Sequence, residues 1–374
     1  MKRLIIAAAL VCFAAANASG HNPGHSSYRD PGFRYVWLED NEYYRPRINA
    51  SLDVDMWFDN RELKSDYSKD LTYFGLMARP LLSLHWGKGN SLFAGGTLTL
   101  DFGDRDYRRD PEVNVYYRYE DPSFSAYAGV FPRSVAMGDY PSMFFSGSTH
   151  LYDRNLEGAL LQYRGRLGYV EAAVDWLSMI HDDNREKFVV FSSGKITTGN
   201  RKFHAGYYAS MFHYSVSDND DGVVDNLLAY PYVGFQLSSG RYAKGEYQLF
   251  SVNAGWAQAM QRDRKNENKW LDPGGFQGSV RFERWKWGVE NIIYIGENLM
   301  PLFDRYDTRL YQGTDFYRTE KDIYNRTELF WTPVHDEAKK LKIRAIFHYD
   351  GKSFGSQQLV TFSLTLNRKT IGRW

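Results

Sequence analysis

Long stretches of this sequence alternate strictly between apolar and polar residues, and this period of two constrains the fold more than any other feature. From Ile48 to Phe58 every second residue is apolar, and Asp53 and Asp55 lie between the apolar positions. A similar alternation returns at 340–350. It indicates a strand with two different faces. At about ten residues, these segments exceed the usual soluble strand of about 5–6. They match the roughly 9–11 residues with which a tilted strand crosses a bilayer.

Sixteen such segments follow one another, and the connections between them sort by length. The segments are 47–58, 75–86, 91–102, 112–120, 124–131, 154–164, 167–177, 185–193, 202–215, 226–237, 246–258, 275–284, 286–296, 322–332, 340–350 and 357–367. Short connections such as 121–123 alternate with longer, polar ones such as Pro132–Asp153 and Glu297–Lys321. The last connection, 351–356, falls where a long one is expected, but it is short.

Interleaved short and long connections are what a membrane barrel with short periplasmic turns and long outer loops requires. We therefore expect an all-β fold, a transmembrane up-and-down antiparallel β-barrel of about 16 strands, within about 14–18. A secreted β-sandwich or jelly roll is the alternative, since it too has alternating strands. Such a fold has no reason to sort its turns by length.

Composition agrees with two opposite faces. Aromatic residues make up 17% of the chain, yet the mean hydropathy is only −0.53. That is too polar for a bundle of membrane helices, which need roughly 20 mostly apolar residues per span, and too aromatic for a disordered chain. The formal charge of +1 gives no electrostatic reason to expect nucleic acid as a partner.

The N-terminus has the three parts of a secretory signal. Lys2 and Arg3 precede an apolar run, Leu4–Ala16, and Ala18 completes a small-x-small cleavage pattern. We expect residues 1–18 to be a signal peptide that is removed.

The remaining chain divides into a periplasmic N-terminal segment, 19–46, and the barrel itself, 47–374. The single cysteine, Cys12, falls in the apolar part of the signal. The mature chain therefore has no thiol for a disulfide, a thiolate metal site or a nucleophile.

Taken together, these features resemble the Gram-negative outer-membrane β-barrel proteins of porin type, over the range 47–374. The last alternating strand runs on to an aromatic terminal residue, Trp374, as such barrels often do, although Arg368 and Arg373 interrupt its apolar pattern. The resemblance implies a location in the cell outer membrane, with membrane lipid and lipopolysaccharide as partners. It calls for no cofactor or metal, and it leaves assembly into a homo-oligomer open.

In a barrel of this kind, charged residues between the lipid-facing positions point into the lumen. The predicted pore-lining residues are Asp53, Asp55, Arg79, Asp101, Arg118, Glu171, Arg281, Glu283, Arg326, Glu328 and Arg344. A barrel of about 16 strands is wide enough to hold an aqueous channel, and charges of both signs would set its selectivity. The alternative is that these charges only pair with one another and stiffen the wall.

Two long loops carry apolar residues that are unusual for a solvated connection. The resemblance implies that Pro132–Asp153, the third outer loop, folds into the lumen. Its predicted constriction residues are Asp139, Tyr140, Phe144 and Phe145. The aromatic and polar residues of Glu297–Lys321, the seventh outer loop, suit either stacking on sugar rings or an ordinary loop core.

The sequence thus predicts a porin-like channel, not an enzyme, through which small hydrophilic solutes diffuse past an inward-folded loop. One alternative is an outer-membrane barrel that binds or modifies envelope glycan or lipid. The other is a secreted glycan-binding β-domain. The histidines stand in neither a G-x-S-x-G nor an H-E-x-x-H motif. A catalytic group assembled across several strands leaves no spacing signal, so a hydrolase stays open.

Overall fold

The computed structural model describes residues 46–373, apart from 64–69, 104–109, 181–184, 216–221, 241–246, 320–321 and 337. The predicted signal peptide at 1–18, the residues 19–45 and Trp374 lie outside the described part.

The described chain is almost entirely β-strand. The strands are β1 (Arg47–Leu63), β2 (Leu71–Trp86), β3 (Asn90–Asp101), β4 (Glu112–Glu120), β5 (Phe124–Pro132), β6 (Asn155–Arg164), β7 (Gly168–Ser178), β8 (Lys187–Thr197), β9 (Phe203–Ser215), β10 (Val223–Ser239), β11 (Gln248–Asp263), β12 (Trp270–Leu271), β13 (Gly274–Arg284), β14 (Trp287–Gly296), β15 (Ile323–His335), β16 (Lys339–Tyr349) and β17 (Phe354–Arg373). The helices α1 (Gly147–Tyr152) and α2 (Phe303–Tyr306) lie in the third and seventh outer loops. Within the described ranges, no helix has the length and apolar character needed to cross a membrane.

The strands form one closed antiparallel barrel. Each spanning strand pairs with its neighbours in sequence, and β1 pairs with both β2 and β17, which removes the free edges of the sheet. The two-residue β12 only adds to the outer end of β11, so sixteen strands span the barrel. The predicted fold class is confirmed.

Each predicted segment has a corresponding strand, but several strands run further than the alternation does. β1 continues past the predicted end at 58 to Leu63, and β11 continues past 258 to Asp263. Beyond the bilayer, no lipid selects apolar residues at alternate positions, while the backbone ladder can continue. β8 also continues past its predicted end at 193 to Thr197.

The barrel is polar inside and apolar outside along its strands. On β1, Asp53 is 3% exposed whereas Phe58 is 39% exposed. Trp287 and Trp331 lie on the outer face near a short turn, and their rings stack with centroids 5.3 Å apart. Aromatic rings at this level suit the boundary between lipid tails and headgroups. The outer face is therefore the surface that meets lipid.

The alternation fails at the outer end of β5. Gly129 has a φ of 119°, a conformation that residues with a Cβ rarely adopt. Beyond Gly129, the consecutive residues Phe131 and Pro132 are both buried, although neighbours on a barrel strand face opposite sides. The end of this strand therefore bends into the barrel.

We predict that Gly129→Val destabilises the barrel. A Cβ at this position would lie 2.2 Å from the carbonyl oxygen of Val115, and the positive φ adds backbone strain of about 1–3 kcal/mol. The test is urea unfolding in liposomes, followed by the heat-dependent gel migration of the folded form. Gly199→Val is the control, because a Cβ there meets no atom within 4 Å. Equal unfolding midpoints for the two variants would contradict the prediction.

Candidate functional site

One group of buried charges lies on the inner wall formed by β13 to β16. The carboxylate of Glu328 accepts hydrogen bonds from Arg326, at 2.5 Å, and from Lys342, at 2.8 Å. Next to it, Arg281 donates to Glu283 at 2.6 Å. Four predicted pore-lining residues are thus brought into one patch of paired charges.

A second group lies on β1 and β2, which follow β16 and β17 around the closed wall. Arg154, which follows the third outer loop, donates to Asp55 at 2.6 Å. Arg79 donates to the hydroxyl of Thr97 at 3.2 Å, and Asp53 is buried on the same wall. Every one of these charged groups has interactions within the wall.

The remaining predicted residues on the strands also follow the inward phase. Arg344 is buried and donates to Thr361 at 3.3 Å. Arg118 is buried with its guanidinium 5.0 Å from the ring centre of Phe93. Asp101 is half-buried at the outer end of β3. That these residues line a path for solutes stays a prediction.

Glu171 has a role that the sequence did not indicate. Its side chain, 1% exposed, accepts hydrogen bonds from the backbone N–H groups of Met137 and Gly138, at 2.6 and 2.7 Å. Tyr140 and Ser193 also donate to it, at 3.3 and 2.9 Å. The carboxylate therefore holds the first part of the third outer loop against β7, and we call this arrangement the Glu171 clamp.

The third outer loop crosses the barrel interior. Its Tyr140 ring packs edge-on against Phe191 on β8, with centroids 5.2 Å apart. At its far end, Tyr152 of α1 accepts a hydrogen bond from the indole N–H of Trp57 on β1, at 3.3 Å. The predicted constriction residues Phe144 and Phe145 are buried between these ends.

The seventh outer loop pairs with the third. The backbone N–H of Ser146 donates to the carbonyl of Gln312 at 2.7 Å, and that of Thr314 donates to Ser142 at 2.8 Å. Gly313 lies so close that a Cβ would meet the carbonyl oxygen of Met143 at 2.1 Å. The two loops form one packed layer.

Buried tyrosines fasten the seventh outer loop to the wall. Tyr311 donates to Gln261 and Tyr317 donates to Gln277, each at 2.5 Å. Phe316 stacks on His348, with ring centroids 4.4 Å apart. The sequence left two interpretations of this loop, stacking on sugar rings or an ordinary loop core. These contacts are those of a loop core. Inward-facing glutamines on β11 and β13 were the signal in the sequence that could have indicated it.

Burial is the main cause of the pKa shifts of three titratable side chains in the third and seventh outer loops. It raises the pKa of Asp315 to about 6. It also raises the pKa of Asp153 to about 6, although the neighbouring Arg133 acts in the opposite direction. Burial, together with nearby arginines, lowers the pKa of His150 to about 3, so this imidazole is neutral at physiological pH.

A cavity of about 440 Å³ lies on the short-turn side of the third outer loop, and Asp139 and Tyr140 of that loop are among the residues that line it. Six basic side chains line it: Lys195, Arg201, Arg281, Arg326, Lys340 and Lys342. Three acidic side chains line it: Asp139, Glu283 and Glu290. Its wall is thus polar and more basic than acidic. Among the described residues, no cluster of three or more His, Cys, Asp or Glu is placed to hold a metal ion.

The barrel is similar to solved porins from pseudomonads. Pseudomonas aeruginosa OccK9 (OpdG) aligns with a TM-score of 0.50 and 9% identity, over 85% of this chain and 98% of that one. Pseudomonas putida OprB gives 0.49 and 6%, over 86% and 94%. P. aeruginosa OprD gives 0.45 and 12%, over 93% and 100%. Because the sequence identities are this low, these comparisons show a shared fold only.

A closed porin-type barrel with an apolar outer face places the protein in the cell outer membrane. The search of curated proteins gave no match. One family model, described as lipid A 3'-O-deacylase-type, matches residues 40–370, which is nearly the whole chain. The chain therefore belongs to the lipid A 3'-O-deacylase-type family.

Proposed function

We propose that this protein is a porin-like channel through which small hydrophilic solutes diffuse, past a constriction made by the third and seventh outer loops. The Glu171 clamp is the observation that carries this proposal. Burying a carboxylate is costly unless donors satisfy it, and here backbone donors of the loop do so, which holds the loop across a polar cavity. Such a device suits a lumen whose width has to be controlled.

The polar cavity below the loops supports the same function. Water and small solutes on the periplasmic side would enter a space whose wall carries charges of both signs. The loop layer separates this space from the cell exterior, so conduction requires that the loops move. We therefore expect a channel of low conductance with brief openings.

Lipid A deacylation is the second candidate function, and the match to the family model favours it. In that reaction, water would cleave the ester at the 3' position of the lipid A sugar, giving a free fatty acid and a sugar hydroxyl. The direct test is mass spectrometry of lipid A from cells with and without the protein. Loss of one ester-linked acyl chain only in cells that carry the protein would establish the activity, and unchanged lipid A would exclude it.

We predict that Glu171→Gln increases channel opening in planar bilayers several-fold. The amide keeps the size of the side chain but offers one acceptor oxygen, so at least one loop N–H group loses its partner. A buried unpaired donor costs about 1–3 kcal/mol, which favours release of the loop. The control is Glu267→Gln, whose carboxylate is 65% exposed. The absence of any conductance, for the native protein and for the Glu171 variant, would refute the channel.

The second prediction concerns pH. The pKa of Asp315, about 6, is higher than that of an unfolded aspartate. Its ionisation therefore opposes the folded loop above pH 6, and this penalty fades as the pH falls from about 6 toward about 4. We expect trypsin to cut the seventh outer loop on the order of tenfold more slowly at pH 5 than at pH 7.5, after correction for the activity of trypsin.

Asp315→Asn should remove most of this pH dependence and protect the loop at pH 7.5, because the amide cannot ionise. Glu267→Gln, in a neighbouring loop, should leave the pH dependence as it is. If the Asp315 variant showed the native pH dependence, another group would be responsible.

A further inference from the structure

The cavity below the loop layer has basic side chains on two sides. On the first side, Lys195 lies on β8 and Arg201 lies in the short turn after it. On the second side, the basic residues come from β13, β15 and β16, and they are Arg281, Arg326, Lys340 and Lys342. The strands between the two sides, β9 to β11, line the cavity mainly with hydroxyl and amide groups. A solute in the cavity therefore meets positive charge from two directions.

The acidic residues that line the second side are held by its arginines. The carboxylate of Glu283 accepts a hydrogen bond from Arg281 at 2.6 Å. A carboxylate oxygen of Glu290 lies 3.6 Å from a guanidinium nitrogen of Arg281 and 4.0 Å from one of Arg326. These two carboxylates are thus engaged by the wall, which limits their attraction for a solute cation.

The lysines of β16 leave this side with an excess of positive charge. Lys340 and Lys342 are two residues apart and therefore share the inward face of the strand. Lys342 donates to Glu328, which is itself only 2% exposed, at 2.8 Å. Even when Glu328 is counted, four basic side chains on this side oppose three acidic ones. One positive charge remains.

The first side is opposed by a carboxylate of the third outer loop. Asp139 is half-buried at the cavity, between Gly138 and Tyr140, which both donate to the Glu171 clamp. It lies close enough to Lys195 for the two charges to attract each other. Against the two basic residues of this side, the loop therefore supplies one acidic residue, and again one positive charge remains.

This arrangement favours a solute with negatively charged oxygen atoms. A cleft that carries an excess of one charge concentrates ions of the opposite sign. Guanidinium and ammonium groups are hydrogen-bond donors only, and their bonds to charged oxygen atoms are stronger than those between neutral groups. A cation of the same size would instead be repelled by the excess charge on both sides.

We propose that the cavity binds small oxyanions from the periplasmic side, that Asp139 competes with them from the loop, and that they are the solutes the channel prefers. The last part rests on the proposed channel function, whereas binding in the cavity does not. Asp139 is thus a residue that tunes the selectivity of the cavity. Removing its charge strengthens the binding of an oxyanion, and removing that of Lys195 weakens it.

The first test measures the binding of inorganic phosphate by isothermal titration calorimetry. It uses the full-length protein folded in detergent, with heat-dependent gel migration to verify the fold of each variant. We expect phosphate to bind reversibly, and more weakly as the salt concentration rises. Asp139→Asn should bind phosphate about threefold more tightly and Lys195→Gln about threefold more weakly than the native protein.

The control is Lys88→Gln, which removes the same charge from an exposed turn between β2 and β3. Its affinity for phosphate should equal that of the native protein. The proposal would be overturned if the native protein bound no phosphate, or if the Asp139 and Lys195 variants shifted the affinity in the same direction.

The second test measures ion selectivity in planar bilayers. With unequal concentrations of potassium acetate on the two sides, the zero-current potential gives the ratio of acetate to potassium permeability. We expect acetate to be favoured, with a higher ratio for Asp139→Asn and a lower one for Lys195→Gln.

The two measurements separate this inference from the channel itself. A channel that prefers potassium would overturn the proposed solute class and leave the channel function in place. If the protein conducted no ions, the channel would be refuted. Phosphate binding that shifts in opposite directions in the two variants would even then support the oxyanion site.

Discussion

The need to pair every backbone N–H and C=O group within the hydrocarbon layer governs this structure. Water is absent there, so an unpaired group costs several kcal/mol, and only a closed ladder of strands avoids that cost. The pairing of β1 with β17 supplies the closure. Once the ladder is closed, each residue on a strand has only two environments, lipid or lumen, and the alternation follows. A place where the ladder opens must then be compensated by side chains, as Asn155 and Glu112 do between β6 and β4.

The interior follows a second constraint, that buried charges have to be paired. Glu328 lies between Arg326 and Lys342, and Asp55 is paired with Arg154. The wall thus uses much of its own charge to hold itself and the loops in place. The charge that remains available to a solute is concentrated around the cavity, where basic side chains outnumber acidic ones.

The sequence predicted the strands well because lipid imposes the same selection at every turn of the barrel. It predicted strand ends poorly, as in β1 and β11, because that selection stops where the bilayer stops. It also gave Glu171 as one pore-lining charge among many. Its partners, Met137 and Gly138, are distant in sequence and reach it only because the loop folds inward. The inward bend of β5 at Gly129 left little trace, since Val130 and Phe131 continue the apolar character of the strand.

The loop layer sets the main demand on any solute that crosses this barrel. A solute that crosses the lumen must displace a loop layer held by the Glu171 clamp and by backbone hydrogen bonds between the loops, each worth about 0.5–1.5 kcal/mol net. The lumen is therefore available to a solute only when these loops open. A barrel with this architecture keeps the membrane sealed to solutes while its loops are closed.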